Sequence, residues 1–254
     1  MEFLWLVIIG FIAGAFGTLV GAGGGFIVMP ILLVFYKNIS PVTLTAVSLA
    51  MICGNSVSGS IAYSRMKRVN YRAGLLFALT AVPGSIIGAA IVNYIPKHIF
   101  YAFFGIILLL VSLYLIIQPG KLKKSHDGAD HKFDLRFGIV SSFFVGVFSS
   151  LLGLGGGIIH VPVMIYLLGF PVHIATATSH FILAIMTFSA TIFHIVSGDL
   201  TGKYIMALGL ITGVIPGAQL GAWASSKIGG KGIVRGLAIA LLIASARILW
   251  MVSK

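Results

Sequence analysis

Gly17-Thr18-Leu19-Val20-Gly21-Ala22-Gly23-Gly24-Gly25-Phe26-Ile27-Val28-Met29-Pro30 returns 132 positions later as Ser149-Ser150-Leu151-Leu152-Gly153-Leu154-Gly155-Gly156-Gly157-Ile158-Ile159-His160-Val161-Pro162. Five positions match at fixed spacing: Gly21/Gly153, Gly23/Gly155, Gly24/Gly156, Gly25/Gly157 and Pro30/Pro162. Both copies sit inside apolar runs. Three adjacent glycines followed by a proline make a poor helix, and irregular backbone survives in hydrocarbon only where protein or a water-filled cavity satisfies its polar groups. The two stretches therefore read as helix breaks at membrane depth, facing each other across an internal site.

The surrounding composition supports that setting. The chain has 254 residues, 59% of them hydrophobic and only 9% charged, with a mean hydropathy of +1.10. Soluble domains carry about 25% charged residues, so this is an integral membrane protein. Apolar runs cover Phe3 to Tyr36, Pro41 to Tyr63, Ala73 to Tyr94, Ile99 to Ile117, Phe137 to Leu168, Val172 to Val196, Tyr204 to Ala224 and Ile233 to Val252. About 20 residues span a bilayer. Six of the runs are thus single crossings, while the two glycine-rich ones are too long for one crossing and too short for two complete ones.

The net charge of +12 would point to nucleic acid in a soluble protein. Here the cations cluster at Arg65 to Arg72 and Lys121 to Arg136, which reads as cytoplasmic loops, and no nucleic-acid partner is expected. The lone Cys53 allows no intrachain disulfide or paired-cysteine metal site. Ala13-Gly14-Ala15 resembles a signal-peptidase site, but a basic leader is missing and the pattern recurs near residue 146, so the segment is expected to be retained.

The repetition extends past the glycines. Pro83-Gly84-Ser85-Ile86-Ile87-Gly88-Ala89 returns as Pro216-Gly217-Ala218-Gln219-Leu220-Gly221-Ala222, and Thr45-Ala46-Val47-Ser48 as Thr176-Ala177-Thr178-Ser179. Three markers in one order at nearly one offset divide the chain into a first transmembrane repeat, 1–117, a polar cytoplasmic linker, 118–136, and a second repeat, 137–254. The expected fold is an all-α polytopic membrane protein in which each repeat is a glycine-broken, re-entrant helix pair followed by three transmembrane helices. Re-entrant runs give inverted halves, and single broken crossings give parallel ones. The positive-inside count is the same for both, and the inverted arrangement is preferred because transporters with broken helices at the midplane so often use it. Pro30, Pro162, Pro83 and Pro216 are read as helix breaks.

Polar residues inside the apolar runs mark candidate contacts. Thr45, Ser48, Asn55 and Gly59 fall on one helical face, and Thr176, His180, Thr187, Thr191 and His194 fall on another. Hydroxyls of this kind also join transmembrane helices, whereas Asn55 and His180 are costly to bury without a partner. At the breaks, Gly23, Gly24, Gly25, Gly155, Gly156 and Gly157 would offer backbone N–H groups and helix N-termini to an anion. Neither break is a phosphate-binding loop of the nucleotide-hydrolysing kind, since no Lys-Ser or Lys-Thr follows. Glu2, Asp127, Asp130, Asp134 and Asp199 are the acids, and none lies deep in a run. An acidic cation site or carboxylate relay is therefore not expected, and any coupled proton falls to His160, His180 or His194. Gln219 is an equally good packing or ligand residue, and Arg247 reads as an interfacial anchor. No cofactor and no catalytic group is indicated. The expected partners are a small anionic substrate and the lipid bilayer, and a homodimer stays open.

The paired Gly-x-Gly-Gly-Gly-x4-Pro stretches, each followed by Thr-Ala-x-Ser and then Pro-Gly-x3-Gly-Ala, resemble the TauE/SafE sulfite exporter family, also called TSUP. The resemblance covers nearly the whole chain except the linker. It implies a secondary transporter, by alternating access, of sulfite, an organosulfonate or a related sulfur-containing anion in a prokaryotic inner membrane. The carry-over reaches the matched glycines and prolines, Ser48 and Ser179. It leaves out the histidines, because Leu49 stands at the position matching His180 and Tyr63 at that matching His194. A passive anion channel of the same architecture is the alternative.

Overall fold

The computed structural model describes residues 2–117 and 134–252, with side chains as far as residue 250. Most of the expected linker, 118–133, lies outside the described residues. Among those described there are helices and no strand: α1 (Glu2–Val20), α2 (Gly25–Phe35), α3 (Pro41–Arg65), α4 (Tyr71–Ile91), α5 (Lys97–Ile117), α6 (Leu135–Leu152), α7 (Gly157–Pro162), α8 (Val172–Val196), α9 (Tyr204–Ser225) and α10 (Gly230–Val252). A π-helical turn, Val163–Leu167, prolongs α7. All but α2 and α7 are long and apolar enough to cross a membrane. The fold is that of a polytopic all-α membrane protein.

Each glycine-rich run is split unequally. At 1.5 Å per residue the 19 residues of α1 reach about 28 Å, and the 11 of α2 about 16 Å. The chain doubles back between them, because Tyr36 just after α2 donates its hydroxyl to Glu2 Oε1 at the start of α1, 2.9 Å away. Burial, then the Glu2 carboxylate, pushes that phenol up to about 12, so the latch stays protonated at neutral pH. The second run folds likewise, with Leu168 against Gly138. Both runs are thus hairpins.

Polar contacts fix the two ends of the bundle. Lys97 Nζ donates to the Lys37 carbonyl, which places the starts of α1 and α5 and the end of α2 at one end. At the other end Arg68 Nη1 bonds Ser225 Oγ at 3.4 Å, Asn70 N–H donates to Thr178 Oγ1 at 3.0 Å, and Gly230 lies against Val172. Gly138, in the first turn of α6, lies against Phe77 of α4 at this second end. The first hairpin therefore rises from one end of the bundle and the second from the opposite end.

Close backbone packing sets the helix pairs. A methyl group at Gly213, Gly217 or Gly221 of α9 would sit 2.0, 2.3 or 2.1 Å from the carbonyl oxygens of Val7, Phe11 and Ala15 on α1. At Gly84 and Gly88 of α4 it would sit 2.2 and 2.1 Å from Phe143 and Val147 oxygens on α6. Small residues every fourth position let helices touch backbone to backbone in lipid, where water supplies no driving force. Consequently α1 pairs with α9 and α4 with α6, each across the two parts of the chain.

These pairs also correct one expectation. Pro83 and Pro216 lie inside the continuous helices α4 and α9, and Pro30 inside α2. A missing proline N–H interrupts one rung, and the helix continues through it on both sides. Only at Pro162 does the α-helix end, giving way to the π turn. The breaks belong to the glycines. Outside the bundle, Leu4, Leu79, Leu110, Ile205 and Ile243 are exposed as a lipid-facing surface, with Trp5, Tyr94 and Trp223 among the exposed aromatics. Arg247 stacks over Trp250 with 5.2 Å to the ring centroid, on the outer face of α10.

Candidate functional site: the crossing of two glycine breaks

At each break the backbone takes the same path. Gly21, Gly23 and Gly24 have φ of 78, 79 and 82°, and Gly153, Gly155 and Gly156 have 64, 80 and 81°. Only glycine adopts this left-handed region without strain, which explains the shared Gly-x-Gly-Gly. The breaks then run antiparallel past each other. A methyl on Gly157 would lie 2.2 Å from the Gly21 oxygen, and one on Gly25 would lie 2.8 Å from the Gly153 oxygen. In the middle, Gly23 and Gly155 both face Ile52 of α3, and Gly23 also faces Leu183 of α8.

Two long helices clasp this crossing through matched contacts. Ser48 of α3 donates to the Gly153 carbonyl at 2.7 Å, and Ser179 of α8 donates to the Gly21 carbonyl at 3.2 Å. Thr45 lies against Gly153 and Thr176 against Gly21. Each helix therefore grips the break carried by the other part of the chain. The N–H groups of Gly24 and Gly25 and of Gly155, Gly156 and Gly157 have no hydrogen-bond acceptor among the described residues. They open α2 and α7, whose positive ends meet here. Residues 21–26 and 153–158 are buried, and among the described residues no Asp, Glu, Lys or Arg side chain is buried.

The predicted residues divide into three groups. The six glycines, Thr45, Ser48, Thr176 and Ser179 converge at the crossing. Of their hydroxyls, those of Ser48 and Ser179 spend their protons on carbonyls, and Thr176 donates to His173 O at 3.0 Å within its own helix. Thr45 Oγ1 is buried without a partner, as are Ser56 Oγ, Ser149 Oγ and Ser150 Oγ. Ser56 lies 3.7 Å from the position of a Gly23 Cβ, and Ser149 lies 2.9 Å from that of Gly156. Free donors at the crossing are thus Thr45, Ser56 and Ser149 beside the glycine N–H groups, and the last two are absent from the residues that the sequence pattern selects. Ser56 lies off the stripe that spacing marks on α3, whereas Ser149 opens the second glycine-rich stretch, where its place beside the glycines is the available signal.

Asn55 and His180 form the second group, beside the crossing. Thr18 donates to Asn55 Oδ1 at 3.1 Å, and His180 Nε2 lies 3.1 Å from Thr18 Oγ1 and 3.5 Å from Asn55 Nδ2. Tyr63 stands edge-on to the imidazole with centroids 5.7 Å apart and donates to the Thr18 carbonyl at 2.7 Å. All four are fully buried. The sequence pattern misses Thr18 and Tyr63 as site residues, although Thr18 lies inside the first glycine-rich stretch.

The third group lies elsewhere. Gln219 is exposed on α9 and donates to Ser58 O and Oγ at 2.8 and 2.9 Å, so it clasps α3 to α9 and does not reach the crossing. His160 bonds Ser142 Oγ at 2.9 Å inside the second hairpin, and His194 Nδ1 meets Asp199 Oδ2 at 2.7 Å at the end of α8.

The family model described as "Sulfite exporter TauE/SafE" matches residues 6–248. The chain belongs to the TauE/SafE family. Among TauE/SafE relatives, the "Probable membrane transporter protein YunE" of Bacillus subtilis is 32% identical, with 98% of each chain covered. The "Probable membrane transporter protein MJ0441" of Methanocaldococcus jannaschii is 31% identical over 89% of this chain and 84% of its own. The "Probable membrane transporter protein YfcA" of Escherichia coli K12 is 26% identical over 96% and 88%. No solved structure matches. A TauE/SafE protein with this fold is a membrane transporter, and the homodimer left open by the sequence has support from neither the fold nor the relatives.

Proposed function

We propose that the chain is a secondary transporter of a small sulfur-containing anion, sulfite or an organosulfonate, working by alternating access around the crossed glycine breaks. The observation that carries this reading is the meeting of two helix N-termini with unpaired glycine N–H groups and unpartnered hydroxyls, in a buried setting without a fixed charge. Such a site suits a small oxyanion, which takes N–H and O–H donors and is repelled by carboxylates. The two parts, 1–117 and 137–254, are taken as inverted copies that rock against each other. Their hairpins rise from opposite ends and their contacts at Ser48 and Ser179 come in matched pairs. Burial of both breaks favours a carrier that occludes its ligand over an open pore.

The cation-rich end, with Arg65, Lys67, Arg68, Arg72, Lys227 and Lys231, is assigned to the cytoplasm of a prokaryotic inner membrane, together with the linker. The experiment is thermal stability of the purified protein against sulfite, sulfate, thiosulfate, taurine, sulfoacetate, acetate and phosphate. A ligand of the folded state stabilises by RT ln(1 + [L]/Kd), about 2.7 kcal/mol at a hundredfold excess over Kd. Selective stabilisation by one sulfur anion supports the reading. Stabilisation by acetate or phosphate alone, or by none of the panel, overturns the substrate class.

A further inference from the structure

Three buried histidines punctuate the second part of the chain, and they differ in what holds them. His160 is bound by Ser142 of its own hairpin, and His194 by Asp199 five residues on. Both keep their partners if the two parts of the chain move as rigid bodies. His180 does not. Its polar neighbours, Thr18 on α1 and Asn55 on α3, both belong to the other part. The recess that accepts its ring is also supplied from there: a methyl on Gly59 would lie 2.5 Å from His180 Cδ2 and 3.0 Å from Nε2. The equivalent positions in the opposite sense are Leu49 and Ala190, so the imidazole socket exists once.

One orientation of the Asn55 amide fixes the protons in this socket. With Thr18 donating its hydroxyl proton to Asn55 Oδ1, the Thr18 oxygen accepts from His180, and Nε2 carries the hydrogen. The 3.5 Å approach of Asn55 Nδ2 to Nε2 is then donor to donor and forms no bond. This leaves Nδ1 as the lone-pair nitrogen, buried and without a hydrogen-bond partner. The socket is joined to the break itself, since the Thr18 carbonyl accepts from both Gly21 N–H, at 3.0 Å, and Tyr63 Oη.

Few other ionisable groups face the ring. From α3 there is Tyr63, and beyond it Arg68, which is bonded to Ser225 at the end of α9. From α4, Tyr71 stacks on the neighbouring Phe181 with centroids 5.4 Å apart. On α7, His160 is engaged with Ser142. The described carboxylates are held elsewhere, Glu2 at Tyr36, Asp134 at the cap of α6 and Asp199 at His194.

We infer that His180 is the proton-carrying residue of the transporter, taking a proton on Nδ1 in one arrangement of the two halves and releasing it in the other. This rests on the alternating-access reading above. The step is a single protonation: one N–H bond forms at Nδ1 from a water proton on one side and breaks to water on the other. Because the partners of His180 come from the opposite half, rocking changes the stabilisation of the imidazolium, which is what couples proton to anion.

The test uses the full chain in proteoliposomes with a lumenal pH dye, and methanesulfonate as probe, because that sulfonate remains a monoanion and carries no proton of its own. Counterflow of methanesulfonate and of sulfite is measured in the same vesicles. The wild type should show methanesulfonate-dependent proton movement. His180→Asn and His180→Gln should still show anion counterflow, which shows a folded carrier, and should lose at least tenfold of the proton movement per anion carried. His160→Asn and His194→Asn should keep it. Gly59→Ala, which fills the recess, should resemble His180→Asn. Proton movement that survives in both His180 variants overturns the assignment while counterflow leaves the transport reading standing. Counterflow without proton movement in the wild type overturns it likewise. Absence of counterflow with both anions removes the transport reading and this inference with it.

Discussion

Replacing Gly24 by alanine separates two costs that the crossing imposes at once. An L residue at φ 82° sits in the left-handed region, which costs about 1–2 kcal/mol. Its Cβ would also lie 2.6 Å from the carbonyl oxygen of Ala13, a backbone atom of α1 that cannot swing aside. Forcing backbone apart in a filled interior costs about 1–3 kcal/mol, so the total is about 2–5 kcal/mol. Gly202 supplies the control. It has φ 75°, but a Cβ placed there would meet nothing within 4 Å, so Gly202→Ala carries the strain alone, about 1–2 kcal/mol. Thermal unfolding of the purified variants in one detergent should therefore show Gly24→Ala destabilised further than Gly202→Ala, by the packing cost of about 1–3 kcal/mol. Equal shifts would refute the packing of the break against α1 and, with it, the hairpin.

Further expectations concern the clasp, the topology and the helix pairs. Ser48→Ala and Ser179→Ala should each lower stability by about 1 kcal/mol and leave sulfite-induced stabilisation in place, because both hydroxyl protons are committed to carbonyls; loss of that stabilisation would show direct contact with the anion. Thr45→Val should weaken the stabilisation by the anion at little cost to the apo protein, since Thr45 Oγ1 has no partner to lose. In a Cys53→Ser background, single cysteines replacing Arg68 and Lys227 should be labelled from one side of the membrane and those replacing Lys97 and Lys203 from the other; labelling of Lys97 and Lys227 positions from the same side would contradict the inverted arrangement. Gly213→Leu should unpair α1 from α9 and abolish folded yield, and a stable Gly213→Leu protein would refute the backbone contact with Val7.

Much of this is legible in the residues, because the decisive features are backbone features. Three adjacent glycines mark each break directly, and the repeat of Thr45 and Ser48 as Thr176 and Ser179 marks the residues that converge on it, although their part as a clasp on carbonyls does not show there. Periodicity tells which face of a helix is polar but not which helix it meets. That is why the pairing of α1 with α9, the engagement of Ser48 and Ser179 with carbonyls, and the outward place of Gln219 required the fold. Prolines mislead for a related reason: Pro83 and Pro216 are breaks by local rule, yet α4 and α9 run on through them, packed backbone-close against α6 and α1. Thr18 is hidden because its neighbours Leu19 and Val20 make it look like one more residue in an apolar run, whereas its hydroxyl and carbonyl organise Asn55, His180 and Tyr63.

The central claim is that the crossed breaks bind and carry a sulfur oxyanion, and counterflow of radiolabelled sulfite in proteoliposomes tests it most directly. Unlabelled sulfite inside the vesicles should accelerate entry of the label in the wild type, and Gly24→Ala and Gly157→Ala should reduce that exchange at least tenfold in protein that is still inserted. Entry that ignores sulfite on the far side, or exchange that is undiminished in both glycine variants, would contradict the account.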